Sequence, residues 1–155
     1  MELTRNLMVD SVSRLGPTPP RQIAFDRTVA DAIEMMRSDR VGCLLVTKEG
    51  ALVGIFTERD LLKRVLAVGK PLTDPLSEVM TEDPVSVQPQ DSISTAIVRM
   101  KNGSYRHLPV VDEANCPIGI LSAKRIVHYL VEHFPSTIYN QPPDPQRFPD
   151  SPEGA

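Results

Sequence analysis

The stretch VGCLLVTKEGALVGIFTERDLL, residues 41–62, contains the patterns of two strands, a turn and a helix. Residues 41–47 form an almost continuous apolar run, which is typical of a buried strand. Residues 48–50 have the chemistry of a hairpin turn, and residues 51–56 suit the partner strand. Thr57 then begins a segment in which apolar residues recur at helical spacing. The stretch therefore predicts a β-hairpin followed directly by a helix.

The chain repeats this pattern once. Residues of the first half recur 64 or 65 positions later: Val29, Ala32, Ile33 and Met36 as Ile93, Ala96, Ile97 and Met100, and Gly54, Thr57, Leu61, Leu62, Val65 and Leu66 as Gly119, Ser122, Ile126, Val127, Leu130 and Val131. This period is too long for a solenoid, and two copies favour similar units related by a pseudo-twofold axis. Each copy is too small to bury a good core alone, so we expect the copies to pack together and to bind any ligand between them.

The repeat divides the 155-residue chain into five parts. These are an N-terminal segment (1–15) with a partial helical pattern, a first copy (16–70), a linker (71–79), a second copy (80–133) and a Pro-rich tail (134–155). The N-terminal segment could dock on the body or on a second copy of the chain. The tail has few apolar groups, which predicts disorder. The expected strands are 22–25, 41–47, 51–56, 84–87, 107–111 and 118–121, and the expected helices begin at Thr28, Thr57, Ser92 and Ala123, with Asp31 as a capping partner of Thr28.

The composition argues against several classes of function. A net charge of −3 and a pI near 5.6 disfavour a nucleic-acid groove. Trp is absent and aromatic residues make up 5% of the chain, so an aromatic stacking platform is not expected. The sequence has neither a signal sequence nor an apolar run long enough to cross a membrane, which favours a cytoplasmic protein without a membrane partner.

Few residues suggest catalysis or metal binding. No nucleophile lies beside a base, and neither a Walker-type loop nor a catalytic pair of carboxylates is evident, so we do not expect an enzyme. Cys43 and Cys116 lack the spacing of metal ligands. His128 and Glu132 are four residues apart on one helix, but the polar face that such a helix needs explains them more simply.

The chain resembles a pair of CBS domains, the cystathionine-β-synthase motif. The resemblance is carried by residues 41–62, by VMTEDPVSVQPQDSISTAIVRM at 79–100 and by YRHLPVVDEANCPIGILSAKRIV at 105–127. It covers about residues 10–133 and extends to stand-alone prokaryotic CBS proteins and to the repeats of the AMP-activated protein kinase γ subunit. It implies an α/β (α+β) fold: a tandem CBS-domain pair in which two βαββα repeats pack with pseudo-twofold symmetry.

The resemblance also implies a function. Such pairs have two clefts, often dimerise into a four-repeat disk, and bind adenosine-containing ligands such as AMP, ADP, ATP or S-adenosylmethionine. They are usually sensors rather than catalysts. We therefore predict a regulatory adenine-nucleotide sensing module, with S-adenosylmethionine or NAD as other ligands and with a homodimer or a regulated protein as partner. The alternative is a ligand-free scaffold or dimerisation module that recruits a partner protein.

The family's ribose and phosphate signature is complete in the first copy, from Gly54 to Asp60. Gly54 would let the backbone approach a ligand closely. Thr57 would present a hydroxyl and unpaired helix-start amides to a phosphate, and Asp60 could accept both ribose hydroxyls. The same Thr and Asp spacing is also that of a capping box, which would satisfy the helix start without any ligand. The sequence leaves both interpretations open.

The second copy departs from the signature. Ser122 keeps the cap, but Arg125 stands where the first copy has Asp60. A guanidinium only donates hydrogen bonds, so the second copy should not hold a ribose in the usual way. We therefore expect one competent nucleotide site per chain.

The resemblance assigns further residues to that site. It places four basic side chains around the phosphate oxygens: Arg40, Arg106, His107 and Lys124. Side chains alternate along a strand, so only one of Arg106 and His107 should point into a given cleft, and we favour Arg106. The adenine slot would comprise Gln22, Ile23, Val41 and Gly42, with Cys43 beneath. Ile23, Val41 and Cys43 would be core residues even in a protein that binds no ligand.

Overall fold

The computed structural model describes residues 8–103 and 106–133, together with Arg5. The first repeat contains β1 (Gln22–Ala24), α1 (Val29–Asp39), β2 (Cys43–Lys48), β3 (Ala51–Thr57) and α2 (Glu58–Asp60), which continues as a π-helical segment, Leu61–Leu66. The second repeat contains α3 (Ile93–Gly103), β5 (His107–Val111), β6 (Pro117–Ser122) and α4 (Ala123–Glu132). A 3-10 helix precedes each repeat, at Val12–Leu15 and Leu76–Glu78, and a short β4 (Thr81–Glu82) follows the second of these. The predicted disordered tail, 134–155, lies outside the described residues, as do residues 1–4, 6 and 7 of the predicted N-terminal segment.

The two repeats build their sheets in the same strand order. The first sheet runs β1-β2-β3-β4, with β1 parallel to β2 and the other pairs antiparallel. The second sheet contains β5 and β6 as an antiparallel pair. A single parallel bridge from Val87 to Val110 and a single antiparallel bridge from Thr18 to Ile120 stand where the first repeat has β1 and β4. The predicted pseudo-twofold repeat is therefore present in the sheets.

One predicted strand, residues 84–87, is not formed. Only Val87 pairs, through its N–H to the Pro109 carbonyl and its carbonyl to the Val111 N–H, both at 2.9 Å. Pro84 and Pro89 flank this pairing, and a proline cannot donate to a ladder. The prediction was wrong because it gave more weight to the apolar residues of the segment than to the prolines around it.

Each repeat is completed by the chain that precedes the other repeat. The backbone N–H of Leu76 donates to the carbonyl of Arg27 at 2.8 Å, and the N–H of Val12 donates to the carbonyl of Asp91 at 2.8 Å. These two bonds are related by the 64-residue offset. Two more pairs of backbone bonds follow the same offset. The N–H of Ser77 donates to the Phe25 carbonyl, as the N–H of Ser13 does to the Pro89 carbonyl. The N–H of Val29 donates to the Asp74 carbonyl, as the N–H of Ile93 does to the Asp10 carbonyl.

The exchanged segments also contribute side chains to the hydrophobic cores. Leu76, Val79 and Met80 are buried in the core of the first repeat, and Val12 and Leu15 in the core of the second. Residues 12–15 thus dock on the body of the same chain. A third cluster joins the repeats and contains Cys43, Leu45, Leu52, Ile55 and Val111. Beside it the amide nitrogen of Asn115 donates to the carbonyl of Leu52 at 3.0 Å.

The helix after Thr57 differs from its prediction. Helical spacing predicted an apolar face of Leu61, Leu62, Val65 and Leu66. Only Val65 is fully buried, whereas Leu62 and Leu66 are 60% and 58% exposed. The backbone forms π-type bonds, such as the one from the N–H of Ala67 to the Leu62 carbonyl at 2.9 Å, so the α-helical period does not apply.

The exchange of segments generates a stability prediction. Leu76 lies in the linker but is fully buried, so Leu76→Ala should lower the free energy of unfolding by about 2–5 kcal/mol. Leu72 lies in the same linker and is 43% exposed, so Leu72→Ala should change it by less than about 1 kcal/mol. Urea unfolding followed by circular dichroism measures both. Equal, small losses would show that the linker does not complete the first core.

Candidate functional site

A cleft of about 780 Å³ lies between the two repeats. One wall is the end of β3 with α2 and the segment after it, and the facing wall is the start of β5. The described lining residues are Gly42, Ile55, Thr57, Glu58, Arg59, Asp60, Lys63, Arg64, Thr81, Gly103, Arg106 and His107. Five of the predicted site residues belong to this set: Gly42, Thr57, Asp60, Arg106 and His107.

Thr57 and Asp60 form a complete capping box at the start of α2. The Thr57 N–H donates to Asp60 Oδ2 at 3.0 Å, and the Asp60 N–H donates to Thr57 Oγ1 at 3.2 Å. The Thr57 hydroxyl also donates to Asp60 Oδ2 at 3.2 Å. Asp60 is 8% exposed and still lines the cleft. The carboxylate that caps α2 therefore also lines the cleft, so capping alone does not decide between the two interpretations of the sequence.

The other carboxylate oxygen of Asp60 is bonded to β4. The hydroxyl of Thr81, in β4, donates to Asp60 Oδ1 at 3.2 Å. Arg64 Nε lies 3.5 Å from the same oxygen, and Arg64 Nη1 donates to the carbonyl of Met80 at 2.8 Å. Both oxygens of the Asp60 carboxylate thus have partners within the protein. The acceptance of both ribose hydroxyls by Asp60 stays a prediction.

The facing wall brings Arg106 and His107 into the cleft together. Strand alternation suggested that only one of the two could enter, but β5 begins at His107, so Arg106 lies outside the alternating ladder. The Arg106 carbonyl accepts the N–H of Ala123 at 2.9 Å, which fixes this turn against the start of α4. Burial and the Arg106 charge lower the pKa of His107, although Glu58 acts in the opposite direction. The imidazole is therefore mainly neutral at pH 7.

Gly42 and Glu58 meet at the mouth of the cleft. The Glu58 N–H donates to the Gly42 carbonyl at 3.1 Å. A Cβ at position 42 would lie 2.9 Å from Glu58 Oε1, so the glycine leaves room for this carboxylate. Sequence analysis placed Gly42 beside the adenine but gave Glu58 no role.

Two predicted phosphate ligands, Arg40 and Lys124, and the site residue Ser122 are not among the described residues that line this cleft. Arg40 ends α1 in a left-handed conformation with φ 53°, and its N–H donates to the Met36 carbonyl. Ser122 caps α4 by accepting the N–H of Arg125 at 3.2 Å, and Lys124 lies exposed in the first turn of that helix. None of Arg40, Ser122 and Lys124 is among the described lining residues.

The predicted adenine residues other than Gly42 also lie elsewhere. Ile23 is buried in the first-repeat core, Val41 packs against that core half-buried, and Gln22 is exposed on β1. Cys43 is buried, and burial together with the charge of Asp60 raises the pKa of its thiol to about 12. Ile23, Val41 and Cys43 therefore lie in or against the core, as the sequence analysis allowed for a protein that binds no ligand.

Gly54 has a structural role. A Cβ at this position would overlap the sulfur of Met80, so the missing side chain makes room for Met80. Its predicted role beside a ligand stays a prediction. Gly119, its counterpart in the second repeat, faces Pro17 in the same way, with 3.0 Å between a built Cβ and the proline Cβ. The glycines of the repeat thus accommodate the exchanged segments.

Sequence reasoning missed part of the lining. Arg59, Lys63, Arg64 and Thr81 were not assigned to the site. Lys63 and Arg64 follow Asp60 by three and four residues, a spacing that places side chains on one helix face and could have identified them. Arg59, Lys63 and Arg106 have no ion-pair partner among residues 8–103 and 106–133. The cleft therefore offers uncommitted positive charge to an anionic ligand.

The described part of the chain contains no group of three His, Cys, Asp or Glu side chains placed to hold a metal ion. None of its helices combines the length and the apolar character that crossing a membrane requires.

Comparison with known proteins places these features in a family. The CBS domain family model matches residues 12–67 and 76–132. The chain is similar to the CBS domain-containing protein YhcV of Bacillus subtilis, with 32% identity over 114 residues that cover 74% of this chain and 81% of YhcV. It is 40% identical over 104 residues to the Meiotically up-regulated gene 70 protein of Schizosaccharomyces pombe, but the match spans 66% of this chain and only 14% of that longer protein.

A solved structure supports the fold. The CBS domain protein PAE2072 from Pyrobaculum aerophilum, solved in complex with AMP, aligns with a TM-score of 0.69 at 24% identity, covering 84% of this chain and 95% of that one. The repeated sheet order, the exchanged segments and the two family matches agree with one another. The chain therefore belongs to the CBS-domain family and is built from two CBS domains packed as a tandem pair.

Proposed function

We propose that this chain is a regulatory module that binds one adenine nucleotide, of the AMP, ADP or ATP type, in the cleft between its repeats. The observation that carries the proposal is that Thr57 and Asp60 of one repeat face Arg106 and His107 of the other across one cleft. PAE2072, which shares the fold, was solved in complex with AMP. No catalytic step is part of the proposal.

The cleft offers suitable chemistry for a nucleotide. The Arg106 guanidinium favours a phosphate, because charge-assisted hydrogen bonds stabilise anions. Asp60, which lines the cleft, is the proposed acceptor for the ribose hydroxyls. Gly42 and Ile55 contribute less polar surface to the lining for the base.

The second repeat is proposed to lack a site of this kind. Ser122 keeps the helix cap, but Arg125 replaces the acidic acceptor. Because Arg125 cannot accept a hydrogen bond, a ribose hydroxyl would have no partner there. The proposal is thus one nucleotide per chain.

Regulation would act through β4 and the residue before it, Met80. Asp60 holds Thr81 directly, and Arg64 holds the Met80 carbonyl. A ligand that draws on Asp60 would change the balance of these bonds and so the placement of β4 between the repeats. A ligand shifts a conformational equilibrium only by its differential affinity, so we expect a coupling of about 1–3 kcal/mol.

A ligand-free scaffold or dimerisation module is the second candidate. One observation favours it: the capping box and the Thr81 hydroxyl already provide partners for both oxygens of Asp60 without a ligand. Another is that equivalent apolar side chains of the two repeats are exposed, namely Leu62 and Leu66 and their counterparts Val127 and Val131. We propose that these four residues, the exposed apolar face, pack against a second copy of the chain.

The two unpaired cysteines are relevant to the cellular compartment of the protein. Cys43 and Cys116 are both free thiols. Free thiols persist in reducing compartments, which supports the proposal of a cytoplasmic protein.

The nucleotide proposal is tested by comparing two variants, each of which loses the acidic residue of a capping box. Asp60→Ala and Asp31→Ala each remove the acid of a capping box, so both should lower stability by about 1 kcal/mol. Only Asp60→Ala should weaken nucleotide binding, by ten-fold or more. Isothermal titration with AMP, ADP, ATP, NAD and S-adenosylmethionine measures affinity and stoichiometry.

Three results would count against the nucleotide proposal. No heat and no melting shift with any of these ligands would favour the scaffold function. Equal binding by both variants would show that Asp60 only caps α2. A stoichiometry of two per chain would contradict the single site.

The dimer proposal is tested at the exposed apolar face. Leu66→Glu should convert a dimer into a monomer in light scattering coupled to size exclusion, because it places a charge in an apolar contact. Val98, on α3, is 51% exposed but lies outside this face, and its counterpart in the first repeat is Glu34, so Val98→Glu serves as the control. A wild-type monomer, or equal effects of the two variants, would contradict the proposal.

A further inference from the structure

The last two residues of α3, Asn102 and Gly103, form the only Asn-Gly pair in the sequence. The other asparagines of the chain all precede larger residues. Both members of the pair are exposed, and Gly103 also lines the cleft. Their counterparts at the end of α1 are Ser38 and Asp39, so the repeat does not account for the pair.

An asparagine that precedes a glycine can lose its side-chain amide without an enzyme. The backbone nitrogen of Gly103 attacks Cγ of Asn102, and no side chain obstructs this approach because glycine has no Cβ. The new N–Cγ bond replaces the Cγ–Nδ2 bond. Ammonia leaves with the proton of the backbone nitrogen, and a five-membered imide remains.

Water then opens the imide at one of its two carbonyl carbons. Opening at Cγ leaves an aspartate with the original backbone. Opening at the backbone carbonyl carbon leaves an isoaspartate, in which the main chain runs through Cγ and is one methylene longer. Both products carry a carboxylate where Asn102 was neutral.

The place of the pair at the end of α3 favours this reaction. Ring closure requires the ψ angle of Asn102 to leave its helical value, so the last turn of the helix must open first. The last carbonyls of a helix have no partner within it, and glycine is among the least favourable residues for a helix. Opening this turn therefore needs less free energy than opening the interior of the helix.

Asn115 is held in the opposite way. Its side-chain amide donates to the carbonyl of Leu52 at 3.0 Å. The N–H of the next residue, Cys116, donates to Asp112 Oδ1 at 2.9 Å. The amide group and the nitrogen that would attack it are thus both engaged in hydrogen bonds, so Asn115 provides a control within the same chain.

We propose that Asn102 is a site of spontaneous deamidation and that its products alter the wall of the cleft. An isoaspartate lengthens the backbone directly before Gly103, which lines the cleft. Either product adds a negative charge four residues before Arg106, which opposes the positive charge that this arginine brings to the cleft. The effect on an anionic ligand rests on the proposed nucleotide site, whereas the deamidation itself does not.

The first measurement follows the modification in the purified full chain. Trypsin cleaves after Lys101 and Arg106 and releases residues 102–106, whereas Asn115 leaves in the peptide 107–124. After incubation at mildly alkaline pH, mass spectrometry should show acid in place of amide about ten-fold faster or more in peptide 102–106 than in peptide 107–124. An unincubated sample corrects for deamidation during digestion.

Gly103→Ala is the matched variant. The added Cβ obstructs the attacking nitrogen, so the reaction at Asn102 should slow by about ten-fold or more. Equal rates in the two peptides of the wild-type chain would overturn the proposal. An unchanged rate in Gly103→Ala would overturn it as well.

The second measurement compares AMP binding by fresh and incubated protein. Isothermal titration should show affinity weakened by about three-fold or more in incubated wild-type protein and unchanged in incubated Gly103→Ala. Equal affinities of fresh and deamidated wild-type protein would overturn the effect on the cleft. If fresh protein binds no adenine nucleotide, the proposed function and the effect on the cleft fail together, while the peptide measurement decides the deamidation by itself.

Discussion

The two repeats are held by a reciprocal exchange of chain segments on which the rest of the structure depends. Leu76 closes the core of the first repeat, and Val12 that of the second, each through a backbone bond of 2.8 Å and a fully buried side chain. Neither repeat has enough apolar surface of its own to exclude water from its helical layer. The exchange therefore fixes both the cores and the relative position of the repeats.

That fixed position creates the cleft. The start of α2 in one repeat and the turn before β5 in the other face each other only because the third core cluster and the contact between Asn115 and Leu52 hold the repeats together. The uncommitted cations thus come from both repeats, and no single repeat contains the site. Asp60 adds a link to the exchanged segment through Thr81.

Much of the fold could be predicted from the sequence. The strand at 107–111 and the helix beginning at Ala123 were predicted with the observed bounds, because long apolar patterns of clear period report directly on burial. The capping box of Thr28 and Asp31 was likewise confirmed. The π-helical segment could not be predicted, since the apolar spacing of Leu61–Leu66 suits an α-helix and local bond geometry overrides it.

Site residues could be predicted where a local motif fixes the backbone geometry. They were harder to predict where their position depends on how the repeats pack together. Thr57 and Asp60 belong to a local turn, so their approach to the cleft follows from spacing. Arg40 and Lys124 each flank a helix end, and their position depends on how whole repeats are oriented, which spacing does not report. The packing of Met80 against Gly54 could not be predicted, because it joins residues 26 positions apart through tertiary structure.

The exchange also orders the events of folding during synthesis. The first repeat needs Leu76 and Met80, which leave the ribosome soon after its own helices, so it can close early. The second repeat waits for partners made about a hundred residues before its last helix, and Val12 and Leu15 stay without their core until that helix emerges. Contacts between such distant residues form slowly because a long loop must close first. The amino-terminal segment is therefore the part of this chain most in need of protection, for example by a chaperone, while translation continues.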